Sequence, residues 1–425
     1  MEFGIGAQDG AFRRAAREWL GAHLVGRFAV GAGAGPGGPG SEHLGAGVRR
    51  AWEREVGAGG WIGLGWAEPG ARGEQGRTRA RGAYGQRRAS LTQQVVWAEE
   101  YARAGAPARC GHIGENLLAP TLLAHGTEEQ RRRFLPPVAR GEELWCQGYS
   151  EPGAGSDLAS VRTAAARGGD GRWRVTGQKV WTSLAREADW CFVLARTEAG
   201  SVRHRGLSFL LVPMDQPGRI DVRPIRQLTG TSEFNEVFFD GAVAAEVVGG
   251  VGEGWRVATG LLRYERGVST LAQQVGFAEE LRAVVRCAVA SGADRDPVVR
   301  GEIVRLWAEL RVMRWNAVRT LGGAGDVADT GGVGGVGFVG GVGVPSVAKL
   351  LWGGWHRRLG ELAVRVRGAR GAVGPRDWDA AAPYELDERQ RLFLFSRADT
   401  IYGGSDEIQR NIIAERVLGL PREKA

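Results

Sequence analysis

Residues 149–157 read YSEPGAGSD, a stretch in which Pro152, Gly153 and Gly155 force a tight turn and Ser150, Ser156 and Asp157 line it with polar groups. Glycine lets a backbone approach a ligand closely, and successive N–H groups in such a turn make an anion-binding nest. Taken alone, the glycines fit an ordinary surface loop better. Residues 177–183, GQKVWTS, change the balance, because they set Trp181 beside two hydroxyls, Thr182 and Ser183. A lone Trp in a β-rich stretch is more often core. A large flat ring beside hydroxyls also suits stacking on, and hydrogen bonding to, a flat heteroaromatic ligand.

The two segments open a section, 146–245, made of short runs rich in Val, Phe, Trp and Thr: WRVTGQKVWTS, DWCFVLART, GLSFLLVPM and FNEVFFD. Gly, Pro, Asp and Asn punctuate them, so a small β domain is predicted. Residues 1–145 read mainly helical, with Phe12, Ala15, Ala16, Trp19 and Leu20, and then Leu91, Val95, Ala98 and Tyr101, at three- and four-residue spacings. Helical spacing returns over 246–425 and predicts a bundle. The Gly/Arg-rich stretches at 31–40 and 70–88 and the Gly/Val run at 322–345 are expected to be solvated loops. The fold class is therefore α+β with three domains: N-terminal helices, a central β domain and a C-terminal helical bundle.

Composition bounds the function. At 425 residues and 43% hydrophobic, the chain has material for several cores. It holds no uninterrupted apolar run of membrane-spanning length, and its N-terminus does not read as a secretory leader, so a cytoplasmic protein is expected. The four cysteines, Cys110, Cys146, Cys191 and Cys287, lie apart in sequence, which argues against a disulfide framework and against a zinc site. The net charge of +8 would suit an acidic partner such as nucleic acid. Almost all of that charge is arginine spread along the chain, with no basic stripe, and nucleic-acid binding is not expected.

YSEPGAGSD, GQKVWTS, VGEGW (251–255), RYERG (263–267) and IYGGSDEIQRNIIAERVLG (401–419) occur in the order and approximate spacing of the flavin-dependent acyl-CoA dehydrogenases, which the chain resembles over nearly its whole length. GHIGENLLAP and the residues that follow, 111–160, extend the likeness, and SVAKLLWGGWHRRLGELAVRV (346–366) resembles the branch common in actinobacteria. Segments at 31–47, 70–90 and about 321–344 depart from it as insertions. The resemblance implies a helical domain, a β domain and a four-helix bundle, with FAD held where the last two meet. It implies that Ser150 and Ser156 bind the flavin ring and pyrophosphate region, that Trp181 lies against the isoalloxazine, that Ser183 hydrogen bonds near N5, and that Ser405 faces the cofactor phosphates. It also implies an acyl-CoA substrate, an electron-transferring flavoprotein as acceptor, and a homo- or hetero-oligomer.

The family's catalytic glutamate often follows the tyrosine of the C-terminal motif, where this chain has Gly403. Other members carry it in the motif written here LLRYERG, where Glu265 stands. If 255–280 is helical, Glu265 shares a face with Leu261, Leu262, Val268, Ala272 and Val275 and has no basic residue three or four positions away. Desolvation raises the pKa of a carboxyl so placed, which suits a general base. A buried structural glutamate bonded to another element is the competing reading. A glycine at 403 still supplies the backbone N–H that the resemblance assigns to the thioester oxygen. Two further functions stay open on the same fold: a non-catalytic or half-site subunit of a heteromeric dehydrogenase, and an acyl-CoA oxidase or flavin monooxygenase. Ser405 has the sequence marks of a helix N-cap, with Gly419 and Pro421 as stop signals.

Overall fold

The computed structural model describes residues 7–29, 45–66, 83–264, 269–322, 343–374 and 386–421. Its first helices are α1 (Ala7–His23), α2 (Ala46–Ala58), α3 (Leu91–Arg103), α4 (Ala119–His125) and α5 (Glu128–Ala139). Capping boxes start two of them. The Ser90 and Thr127 hydroxyls accept from the N–H groups of Gln93 and Gln130, whose side chains return the bond to the cap backbone. Ala16 and Leu20 of α1 are buried with Trp52, Trp61, Trp97 and Tyr101, a cluster in which the Trp61 and Trp97 rings stack at 4.3 Å.

Eight strands follow: β1 (Trp145–Gly148), β2 (Ala164–Arg167), β3 (Trp173–Ser183), β4 (Trp190–Arg196), β5 (Leu207–Pro213), β6 (Ile220–Pro224), β7 (Phe234–Val243) and β8 (Glu246–Val248). They form one sheet in the order β6-β7-β3-β2-β4-β5-β8, with β1 alongside β4. β4 and β5 are buried along nearly their whole length because both faces are covered. Side chains alternate across a strand, so Phe192, Leu194, Phe209 and Leu211 enter one core, shared with α4, α5 and α6 (Gly254–Tyr264). Cys191, Val193, Leu210 and Val212 enter a second core on the opposite face.

The C-terminal helices are α6, α7 (Ser269–Ser291), α8 (Pro297–Gly322), α9 (Gly343–Arg365), α10 (Glu388–Phe395) and α11 (Asp406–Ile412). Phe277, Leu281, Leu306, Leu310, Trp355 and Leu359 make the core that α7, α8 and α9 share. Among the described residues, no helix is long and apolar enough to cross a membrane.

Several expectations need correction. The run at 70–88 is not a solvated loop to its end: Tyr84 and Gln86 are buried, and the Arg87 guanidinium lies 4.2 Å from the centroid of the Trp61 ring. The aromatic cluster supplies the apolar surface that the run itself lacks. The cysteines are free thiols as expected, three of the four buried; Cys146 and Cys191, distant in sequence, are direct partners in the β1–β4 register, and burial pushes the Cys146 thiol well above its ordinary pKa. Residues 46 and 47 belong to α2, and 321–322 and 343–344 belong to α8 and α9. The terminal helix changes character after Ile412, continuing as a wider π turn over Ile413–Val417 before Gly419 adopts a φ of +66°. The stretches 31–40, 70–82 and 323–342 lie outside the described residues.

Candidate functional site

The YSEPGAGSD turn is closed by paired bonds between the backbones of Glu151 and Ala154, at 3.1 and 3.0 Å. Behind it, Lys179 of β3 is fully buried, and its Nζ donates to the Tyr149 carbonyl at 2.9 Å, to Glu151 Oε1 at 2.8 Å and to the Leu194 carbonyl at 2.8 Å. Three protons meet three acceptors. The Glu151 carboxylate also accepts from the N–H groups of Arg162 and Thr163, at 2.7 and 2.9 Å. Burial alone would raise the Glu151 pKa, but the adjacent ammonium holds it below the usual carboxylate range; burial, opposed by Glu151, pulls Lys179 below its ordinary value. The pair bolts the turn to the sheet. The N–H of Val180 completes the join by donating to the Ser150 carbonyl at 2.9 Å.

Beyond Val180 the β3–β7 register slips between Lys179 and Thr182. Trp181 sits in that bulge with φ +60°, and Leu184 follows with φ +58°. A left-handed conformation costs a residue with a Cβ roughly 1–2 kcal/mol, so these two positions hold strain around Thr182 and Ser183. The bulge turns the Trp181 indole outward, 58% exposed, with its ring edge-on to Phe234 at 6.1 Å. Trp181 is therefore not the core residue that a lone Trp suggests. Thr182 is fully buried, and its hydroxyl has no hydrogen-bond partner among the described residues. Ser183 is half-buried, whereas Ser156 is exposed. A cleft of ≈ 390 Å³ runs along the turn, lined by Glu151, Pro152, Gly153, Ser160, Arg162 and Thr163.

Ser150, Ser156, Trp181 and Ser183 thus belong to one unit, held by Lys179. Gly403 and Ser405 belong to another, packed on α9. Ser405 caps α11, its hydroxyl accepting from the Ile408 N–H at 3.4 Å. Gly403 and Gly404 have φ of +66° and +87°, and the buried Gln409 amide donates to both their carbonyls, at 3.2 and 3.1 Å. Glu265 lies outside the described residues, between α6, where Leu261 is buried, and α7, where Val275 is buried.

An exposed indole on a strained bulge, an unpaired buried hydroxyl and a glycine turn fit a flat ring with polar edges, and so fit the isoalloxazine of FAD. Lys179 and Glu151 are the residues that reading the sequence missed. The one available signal was a lysine, one of three in the chain, at an inward position of a strand.

The descriptions of the acyl-CoA dehydrogenase N-terminal, middle and C-terminal domains match residues 47–142, 146–242 and 252–418. The chain is 53% identical to acyl-CoA dehydrogenase IpdE1 of Mycobacterium tuberculosis over 414 residues, covering 97% of this chain and 98% of that protein. It is 52% identical to acyl-CoA dehydrogenase IpdE1 of Mycolicibacterium smegmatis, with the same coverage, 97% and 98%. Among solved structures it is similar to the Tcur3481-Tcur3483 steroid ACAD, with a TM-score of 0.77 and 27% identity over 100% of both chains. It is also similar to the ChsE4-ChsE5 complex from Mycobacterium tuberculosis, with a TM-score of 0.75 and 28% identity, again over 100% of both chains. With three matched domains in sequence order and a relative more than half identical along its length, the chain belongs to the acyl-CoA dehydrogenase family of oxidoreductases.

Proposed function

We propose that the chain carries out FAD-dependent α,β-dehydrogenation of an acyl-CoA thioester, and that the strained, outward-facing Trp181 with the unpaired Thr182 hydroxyl is the observation that supports it best. FAD, when bound, supplies the hydride acceptor. Trp181 offers the stacking face, Ser183 and Thr182 offer hydroxyls at the ring edge, and Ser150 and Ser156 serve the turn side. Glu265 takes the α proton. The Gly403 N–H donates to the thioester oxygen, where negative charge grows as that proton leaves. Ser405, already capping α11, takes the phosphate side. Electrons leave to an electron-transferring flavoprotein. Likeness to structures described as a steroid ACAD favours a ring-bearing acyl group.

Purified or reconstituted protein is expected to show flavin absorption bands at one FAD per site. Trp181→Ala should weaken FAD binding by a few-fold to about tenfold, the size of one aromatic stacking contact, with little change in the stability of the FAD-free protein because the ring is exposed. Equal FAD affinity in parent and variant removes Trp181 from the site.

A hetero-oligomer is the assembly we favour, since the ChsE4-ChsE5 neighbour is a two-component complex. The surface of this chain supports an assembled state: Val304, Trp307 and Trp315 are exposed on α8, with the Arg311 guanidinium 5.7 and 5.8 Å from the two indole centroids, and Leu418 and Leu420 are exposed after α11. Such apolar surface calls for a cover. Light scattering is expected to give at least a dimer, alone or after co-expression with a second family member; a monomer that still holds FAD in both cases contradicts it.

A further inference from the structure

We propose that His356 is a positioning residue that clamps the Tyr402–Gly404 loop to α7 and so aims the Gly403 N–H. This rests on the reading of Gly403 as the donor to the thioester oxygen. His356 is on α9 and is 4% exposed. Its Nε2 lies 2.8 Å from Glu280 Oε2 on α7, and its Nδ1 lies 2.5 Å from Asp399 Oδ2, three residues before Tyr402. With a carboxylate at each ring nitrogen, both nitrogens must carry hydrogen, so the ring is an imidazolium.

Asp399 passes the constraint onward. Its other carboxylate oxygen accepts from the Tyr402 hydroxyl at 2.5 Å, and its backbone carbonyl accepts from Lys349 Nζ of α9. That carbonyl runs so close to α9 that a Cβ on Gly353 would meet it at 2.9 Å. The Lys349 ammonium also lies 4.4 Å from the Trp352 ring centroid and 5.4 Å from that of Tyr402. Phe277 of α7 and Trp355 of α9 enclose the imidazole, with ring centroids at 4.4 and 6.4 Å. The charged groups facing His356 are thus Glu280 and Asp399, with the Lys349 ammonium on the Asp399 carbonyl.

Burying the charges of His356, Asp399 and Lys349 is a poor way to gain stability, because well-packed apolar groups of the same volume usually do as well or better. What the cluster supplies is position. Two successive left-handed glycines leave the loop backbone more freedom than any other residues allow. Asp399 and Gln409 grip it from either end, and Glu280 of α7 is bonded to the same imidazole.

Burial lowers the His356 pKa, but Glu280 and Asp399 outweigh it and carry the group up to about 10. A pKa raised from 6.5 in the folded state stabilises fully below about 6.5, and the contribution is lost as pH rises through about 10.

The test uses the full chain with FAD and two variants, His356→Gln and Tyr402→Phe. Nitrogen-15 histidine spectra should show an imidazolium at pH 8.5 that disappears in His356→Gln, whose unfolding free energy should lose the parent's decline between pH 7 and 10. An imidazole that titrates near 6.5 overturns the proposal. Should the glutamine variant not fold, Tyr402→Phe carries the test, since it removes only a hydroxyl bonded to a carboxylate. Amide exchange at Gly403 and Gly404 should quicken about tenfold or more, the size of one hydrogen bond to a charged group, while the exchange of β4 and β5 stays the same. In an active parent, kcat should fall by more than KM rises. Unchanged exchange with unchanged kcat defeats the clamp. A parent with the imidazolium and the protected loop but no turnover of any thioester instead defeats the reading of Gly403 and leaves the clamp standing.

Discussion

Replacing Glu265 by Gln is expected to leave FAD bound and to slow flavin reduction by an acyl-CoA thioester by at least about 10²-fold, and up to about 10⁴-fold, the range that general-base catalysis supplies. Gln keeps the shape and hydrogen-bonding capacity of Glu and removes only the proton acceptor. The loss should therefore fall on the rate of reduction at saturating thioester rather than on affinity. Stopped-flow bleaching of the flavin band under anaerobic conditions separates the two. If Glu265→Gln reduces its flavin as fast as the parent, another acid or a partner subunit abstracts the proton. Moving the acid to the C-terminal motif is a poor rescue. Gly403 has φ +66°, and a glutamate there would take on a left-handed backbone costing roughly 1–2 kcal/mol, in addition to displacing the loop that carries the amide. A φ of that sign favours glycine at 403.

Lys179→Met is expected to lower the unfolding free energy by about 3–5 kcal/mol, the cost of breaking a buried ion pair by removing one partner. Lys179 is fully buried and Glu151 only 8% exposed, so removing the ammonium leaves a largely buried carboxylate with the N–H groups of Arg162 and Thr163 as its remaining partners. Removing Glu151 as well should recover only part of the loss, since that carboxylate also holds the N–H groups of Arg162 and Thr163. The dependence on pH follows from the sign of the shift. Glu151 is held below its ordinary pKa, so the stability it contributes is present above the unfolded value near 4.5 and is lost as pH falls through the depressed one. In Lys179→Met that acid-side dependence should flatten. Chemical denaturation at pH 7 and pH 4 measures both effects, and a loss below about 1 kcal/mol at pH 7 means that the pair does not hold the turn.

The pieces of this structure that were legible in the sequence are those governed by local rules. Helical spacing placed Ala16, Leu20 and Tyr101 in the N-terminal core, and β-rich runs marked β3, β4, β5 and β7. Turn chemistry singled out YSEPGAGSD, and capping chemistry singled out Ser405. What stayed hidden depends on register and topology. Cys146 and Cys191 meet because β1 lies parallel to β4. Lys179 reaches Glu151 across a strand crossing, and His356 meets Glu280 and Asp399 across three packed elements. No periodicity of 2 or 3.6 residues encodes contacts of that range. Trp181 shows the same limit from the other side: the composition of β3 points inward, and only the bulge opposite β7 turns the ring outward.

The most direct measurement is the visible spectrum of the purified, FAD-reconstituted protein, alone and with its partner subunit where one is required, titrated anaerobically with a panel of acyl-CoA thioesters that includes ring-bearing acyl groups. FAD-dependent dehydrogenation requires a bound flavin whose oxidised band bleaches stoichiometrically with at least one thioester, with the matching α,β-unsaturated product formed. A protein that binds no flavin, or a bound flavin that no thioester bleaches in either assembly, contradicts it.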